Sequence, residues 1–194
     1  MGKLRIWLLV PMLLLLVGCG EDGEDRLQEA LAFRSALQGA GGCSFLGEIT
    51  ADFGEYVYTF SVSCQVDATG TLTFQVTAPE TISGITGSVS ADGGALTFDD
   101  VALAFPTLAE GRVGPVTAPY LAAESWRTGY ISAVGADEKG LRLTVDTSYE
   151  ADPLVVDTWL DAEKGVPISS EVCYNGQRLL SISISEFQYN NTVE

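Results

Sequence analysis

The sequence has no histidine, and only 10 of its 194 residues are Lys or Arg, against 26 Asp or Glu. Without an imidazole, a Ser-His-Asp or Cys-His nucleophile, a His-ligated zinc and a histidine proton shuttle are all excluded. The formal net charge of −16 makes nucleic acid a poor partner, because binding phosphates depends on clustered Lys and Arg. A membrane-spanning run is also missing. Ile6 to Val17 is apolar over 12 residues, broken by Pro11, whereas a helix needs about 20 such residues to cross the hydrocarbon. What is present is a 46% hydrophobic chain, too apolar for disorder and long enough for one domain with a real core.

Lys3 and Arg5 stand just before the apolar run, which is the pattern of a signal peptide. At its end, Leu16-Val17-Gly18-Cys19 resembles the bacterial lipobox. That resemblance implies a lipoprotein signal peptide over 1–18 and a diacylglycerol on the Cys19 thiol, with palmitate among its acyl chains. The other reading is an ordinary secretory signal whose cysteine is incidental. Cleavage before Cys19 removes the first 18 residues with Lys3 and Arg5, leaving 176 at a net charge of −18. The expected location is the cell membrane, lipid-anchored on the extracytoplasmic face, or the outer membrane where the cell has one. Residues 19–25, with Glu21 to Asp25, read as an acidic tether holding the body off anionic headgroups. Export also permits disulfides, so Cys43, Cys64 and Cys173 come into question once Cys19 is given to lipid.

In the mature chain, Asp25 is placed to cap a helix from about Arg26 to Gln38, with Leu27, Ala30, Leu31 and Leu37 on one face. From Cys43 the pattern changes to period two, with turns at Asp52-Phe53-Gly54, Asp67 to Gly70, Asp92-Gly93-Gly94, Gly165-Val166-Pro167 and Asn175-Gly176. The expectation is mostly antiparallel sheet. A two-residue turn at Phe53-Gly54 sets Ala51 opposite Tyr56 and Cys43 opposite Cys64, as a closely spaced non-hydrogen-bonded pair able to form a cross-strand disulfide. The alternative is two small buried thiols. Strands follow at Leu72 to Ala78, in the Gly-rich stretch 82–91 and over Ala95 to Phe105. The segment from Pro106 to Pro119 is a long connection of the kind that usually has a use. A second helix is expected from Pro119 to about Val134, with Ala123, Trp126, Tyr130 and Val134 on one side and Gly129 as a weak point. Strands resume at Leu141 to Tyr149 and Leu154 to Asp161. In the last hairpin an even pairing with a bulge at Gly176 keeps Val172 with Leu180 and leaves Cys173 on the other face, unpaired.

This order of elements resembles the LolA/LolB-like half-barrel of bacterial lipoprotein-sorting and lipoprotein-associated proteins. The local stretches that carry the resemblance are Phe74-Gln75-Val76-Thr77-Ala78-Pro79-Glu80 with Gly84, and Trp159 to Pro167 followed by the terminal hairpin and Phe187. It implies a mainly β (α+β) domain over 26–194, in which a curved antiparallel half-barrel sheet has its concave apolar face covered by helices and able to hold acyl chains. Phe45, Phe60, Phe74 and Phe98 are expected on apolar sheet faces, with Trp126 and Tyr130 on a helix above them, either lining such a cavity or filling an ordinary core.

Two functions follow. One is a lipid-anchored module that binds a hydrophobic ligand, an acyl chain, a lipid or a lipidated protein, in the half-barrel. The other is a non-catalytic interaction or regulatory lipoprotein that offers its surface or sheet edge to an envelope or spore-cortex partner. No catalytic residue, metal or cofactor is expected: Asp99 with Asp100, and Asp161 with Glu163, read as solvated turn acids rather than acid/base or calcium sites.

Overall fold

Glu24 and Asp25 put carboxylates in the opening turns of a helix, where the macrodipole favours them. In the structure, a computed structural model that describes residues 21–99, 101–105, 108–109, 112–147 and 154–190, helix α1 accordingly spans Glu21–Gly39. The acidic stretch expected to be a tether is therefore helical from Glu21. Ala30, Phe33 and Leu37 form its buried stripe, while Leu27 and Leu31 stay 37% and 40% exposed. The lipobox with Cys19, and Asp100, lie outside the described residues.

Ten strands joined to the last one make an 11-stranded antiparallel sheet in the order β6-β5-β4-β3-β2-β1-β13-β12-β11-β10-β9. Its first meander is β1 Cys43–Asp52, β2 Val57–Val66, β3 Leu72–Ala78, β4 Thr86–Ser90, β5 Gly93–Phe98 and β6 Val101–Phe105. The second is β9 Tyr130–Asp137, β10 Gly140–Asp146, β11 Val155–Leu160, β12 Pro167–Tyr174 and β13 Gln177–Tyr189. Because β1 pairs with β13, the meanders join into one curved sheet. Between them the chain forms a two-stranded ribbon, β7 Leu108–Ala109 with β8 Arg112–Val113, then a short 3-10 turn at Pro115–Thr117 and helix α2, Ala118–Arg127. The architecture is mainly β, an open curved sheet with two helices on one face. Alternation selects that face: Phe45, Ile49, Val62, Leu72, Leu143 and Ile182 are buried under the helices, and their sequence neighbours face out.

The first hairpin departs from the expected register by two residues. Asp52 pairs with Val57, so Cys43 lies opposite Val66 and Cys64 opposite Phe45. The Asp52 carboxylate accepts the Gly54 N–H at 2.9 Å and the Phe53 N–H donates to the Tyr56 carbonyl at 3.0 Å, an Asx turn that widens the loop. A shift of two preserves the faces, so both cysteines remain inside, but it takes them out of direct opposition, and all three described thiols are free. Burial raises the Cys43 thiol to about 12 and pushes the Cys64 thiol up as well, with Cys43 beside it adding to the effect. Cys173, half-buried, is raised by burial and then by the charges of Asp157 and Glu171. Since the thiolate is the reactive form, iodoacetamide should alkylate Cys173 first in the folded protein, and Cys43 and Cys64 only after denaturation. A non-reduced peptide map showing a Cys43–Cys64 bridge would contradict this.

The terminal hairpin keeps the expected even pairing of Val172 with Leu180, but the odd residue sits elsewhere. Asn175 and Gly176 have φ of 48° and 74°, the two positive values of a two-residue type I′ turn. Tyr174 then faces Gln177 and Cys173 faces Arg178. The bulge falls one step further on, at Leu179 rather than Gly176.

The second helix is shorter than its 3–4 spacing implied. It ends at Arg127, Gly129 takes φ 83°, and the chain turns into β9, so Tyr130 and Val134 are strand residues. A Cβ at Gly129 would come 2.6 Å from the Val145 side chain, so glycine is needed both for the positive φ and for the close approach.

Candidate ligand-binding face

The inner face divides into a filled part and an open part. In the filled part Trp126 is fully buried, with ring centroids 5.4 Å from Phe45, 6.0 Å from Phe187 and 6.4 Å from Phe33, at edge-on angles. Its indole N–H donates to Thr158 Oγ1 at 3.0 Å, and that hydroxyl lies 2.8 Å from Ser170 Oγ, so these three buried polar groups satisfy one another.

Arg34 locks the two helices together. From α1 its guanidinium donates to the carbonyls of Ser125, Trp126, Thr128 and Gly129 at 3.0–3.2 Å, and Gln38 Nε2 donates to the Arg127 carbonyl at 3.0 Å. These are the carbonyls that a helix C-terminus leaves unpaired, and a cation there also suits the dipole. Partial burial lowers the Arg34 pKa.

Beyond β3 the helices give out while the apolar pattern continues. Val89 pairs with Gly94 and Gly94 with Phe105; Gly87 pairs with Leu96 and Leu96 with Leu103; Phe98 pairs with Val101. Directly paired antiparallel residues share a face, so Leu96, Phe98, Val101, Leu103 and Phe105 continue the inner face begun by the buried Val89. Leu96 and Phe105 are partly buried against the core, whereas Phe98 is 52%, Leu103 63% and Val101 69% exposed. The glycines shape this wing: a Cβ at Gly87 would stand 2.6 Å from the Phe74 ring, and one at Gly94 would strike the ring of Phe105. Both rings lie across the bare backbone. At the same end of these strands, the β1–β2 loop exposes Phe53 and Tyr56 and the start of β2 exposes Tyr58, with the two tyrosines stacked at 6.4 Å. The β3–β4 connection adds Ile82.

The outer face differs chemically. Over β2–β5 it forms a shallow groove of about 440 Å³ lined by uncharged polar side chains such as Ser63, Gln65, Thr73, Gln75, Thr86 and Thr97. Over β10–β12 it is braced: Asp157 accepts two hydrogen bonds from Arg142, at 3.0 and 2.6 Å, and one from Thr144 at 2.6 Å. Trp159 donates to Asp137 at 2.8 Å, with the Lys139 ammonium 4.3 Å from its ring centroid. The hydrogen bonding of the Arg142 guanidinium to the Asp157 carboxylate is the main reason the Arg142 pKa is raised. These carboxylates are engaged in holding the sheet. Among the described residues no group of Cys, Asp and Glu is arranged to hold a metal ion.

Of the residues singled out in the sequence, Phe45, Phe60, Phe74 and Trp126 are buried in the filled core, with Phe45 and Trp126 in contact. Phe98 is on the open inner wing. Tyr130 is 54% exposed on β9, the opposite edge strand, not on a helix above the sheet. Val101 and Leu103 were not among the candidate residues, and Tyr56 was expected only as a hairpin residue opposite Ala51, a place the structure gives to Tyr58. Val101-Ala102-Leu103-Ala104-Phe105 does carry a signal, an alternation of large and small apolar residues with nothing polar on either face.

No family model and no curated protein matches the chain. Solved structures similar to it include a lipoprotein-sorting protein domain, a LolA superfamily protein and a mycobacterial lipoprotein. It is similar to a putative outer membrane lipoprotein-sorting protein domain from Vibrio parahaemolyticus, at 12% identity over 90% of this chain and 94% of that one, with a TM-score of 0.47. Similar likenesses are to a LolA superfamily protein from Nitrosomonas europaea (8% identity, 82% and 92% covered, TM-score 0.43) and to the Mycobacterium tuberculosis lipoprotein LppX (13% identity, 88% and 99% covered, TM-score 0.45). The half-barrel itself is defined by the strand order and registers above.

Proposed function

We propose that the protein is an envelope lipoprotein, anchored through a lipid on Cys19, whose open inner wing takes up the acyl chain of a hydrophobic ligand. The observation that supports this is the uncovered apolar face of Phe98, Val101 and Leu103, continuous with the core. Covering these half-exposed side chains is worth on the order of 4 kcal/mol, and large exposed apolar patches on a folded surface mark interaction sites. The full chain carrying Cys19→Ala, kept in solution with an amphipathic polymer instead of an acyl-chain detergent, should bind one fluorescent monoacylglycerol per chain with a blue-shifted emission. No saturable uptake below the probe's self-association threshold would count against the reading. In its own host, the unsubstituted chain should incorporate an alkynyl palmitate label that Cys19→Ala abolishes.

A second reading has its own support. β6 is an edge strand without charge or proline, open to pairing with a strand of a protein partner. It ranks lower because the exposed bulk lies on the face of the wing and not along its edge. A photo-crosslinker at Ala104 in cells should then capture one defined protein; under the acyl-binding reading it does not.

A further inference from the structure

We infer that the open wing selects acyl chains carried on an uncharged glyceryl head and rejects anionic amphiphiles of the same chain length; this rests on the acyl-binding reading above. Between Arg34 and Arg112 the sequence has no Lys or Arg, so all of β1–β6 and their turns lack a cation. Carboxylates do occur there, and they sit at the mouth. Asp52, Glu55, Glu80 and Asp99 lie in or beside the β1–β2, β3–β4 and β5–β6 connections, the same end of the strands where Tyr56, Tyr58, Ile82, Phe98 and Val101 are exposed.

Among the described residues, several cations from the rest of the molecule are engaged elsewhere: Arg34 and Arg127 donate to backbone carbonyls, the latter to Ala68 in the turn at the far end of β2 and β3, while Arg142 pairs with Asp157 and Lys139 and Arg178 pair with Glu171. A chain seated against Phe98 and Leu103 therefore places its head among carboxylates, with no cation from β1–β6 or their turns to receive an anion. A sulfate, phosphate or carboxylate head meets unscreened like charge within about one Debye length. A glyceryl head instead brings hydroxyl donors to charged acceptors, which are the stronger class of hydrogen bond.

The test uses two probes with one dodecyl chain and one terminal fluorophore, differing only in a glycerol or a sulfate head, titrated into the full chain with Cys19→Ala. At low ionic strength the glyceryl probe should bind about tenfold more tightly, and the difference should shrink as salt is added. Glu80→Gln combined with Asp99→Asn, both at exposed turn positions, should narrow the gap by strengthening binding of the sulfate probe and modestly weakening that of the glyceryl probe. Equal affinities at low ionic strength overturn the inference while leaving the acyl-binding reading in place. If neither probe binds, both fall together.

Discussion

Trp126→Ala is expected to destabilise the protein by about 4 kcal/mol, the largest effect of any single substitution considered, because it deletes a fully buried indole from a close-packed core. The side chain has no exposure and touches Phe33, Phe45 and Phe187, which come from α1, β1 and β13. Its loss opens a cavity where the two meanders and both helices meet. Thr158 keeps its contact with Ser170, so the hydrogen bond contributes only a small part. Trp126→Phe separates the two terms: it preserves much of the volume and should cost about 1 to 2 kcal/mol. Denaturant melts of both variants check the order. Equal costs would mean that the indole N–H, not the packing, holds the site.

Arg34→Ala should cost about 2 kcal/mol and lower the melting temperature by roughly 4–8 °C. Four carbonyls at the end of α2 lose their donor. Those of Thr128 and Gly129 are exposed and can turn to water, while those of Ser125 and Trp126 are part-buried and bear most of the cost. Amide exchange should accelerate first in the last turn of α2 and at the start of β9. Exchange that rises uniformly over the sheet would show instead that Arg34 does not act as a local clamp. Arg34→Lys should not rescue, since one ammonium cannot span four carbonyls as a planar guanidinium does.

These residues also show which parts of the structure the sequence revealed. Period-two alternation identified the inner face of β1, β2 and β3 correctly, since any even change of register leaves faces intact. For the same reason alternation could not place Cys43 against Val66 rather than Cys64; the hydrogen bond that the Gly54 N–H donates to the Asp52 carboxylate sets that pairing. The bulge at Leu179 was legible as a need for one odd residue, but Gly176 attracted it because the turn glycine and the bulge look alike in sequence. Trp126 and Tyr130 are four apart, which fits a helix face, and only the backbone at Gly129 separates them into different elements. Phe98 was recognisable as an apolar strand residue. Whether a helix covers it depends on where α1 and α2 come to rest, and Arg34 fixes that by reaching across 91 to 95 positions of sequence.

The most direct test of the acyl-binding face is photo-crosslinking with a monoacylglycerol carrying a diazirine near the end of its chain, followed by peptide mapping of the full-length Cys19→Ala protein. If the wing takes up acyl chains as proposed, adducts concentrate on β5 and β6, at Phe98, Val101 and Leu103, and are lost in Leu103→Asp, which alters an exposed position and leaves the melting temperature unchanged. Adducts confined to α1 at Leu27 and Leu31, or labelling that survives Leu103→Asp undiminished, would contradict it.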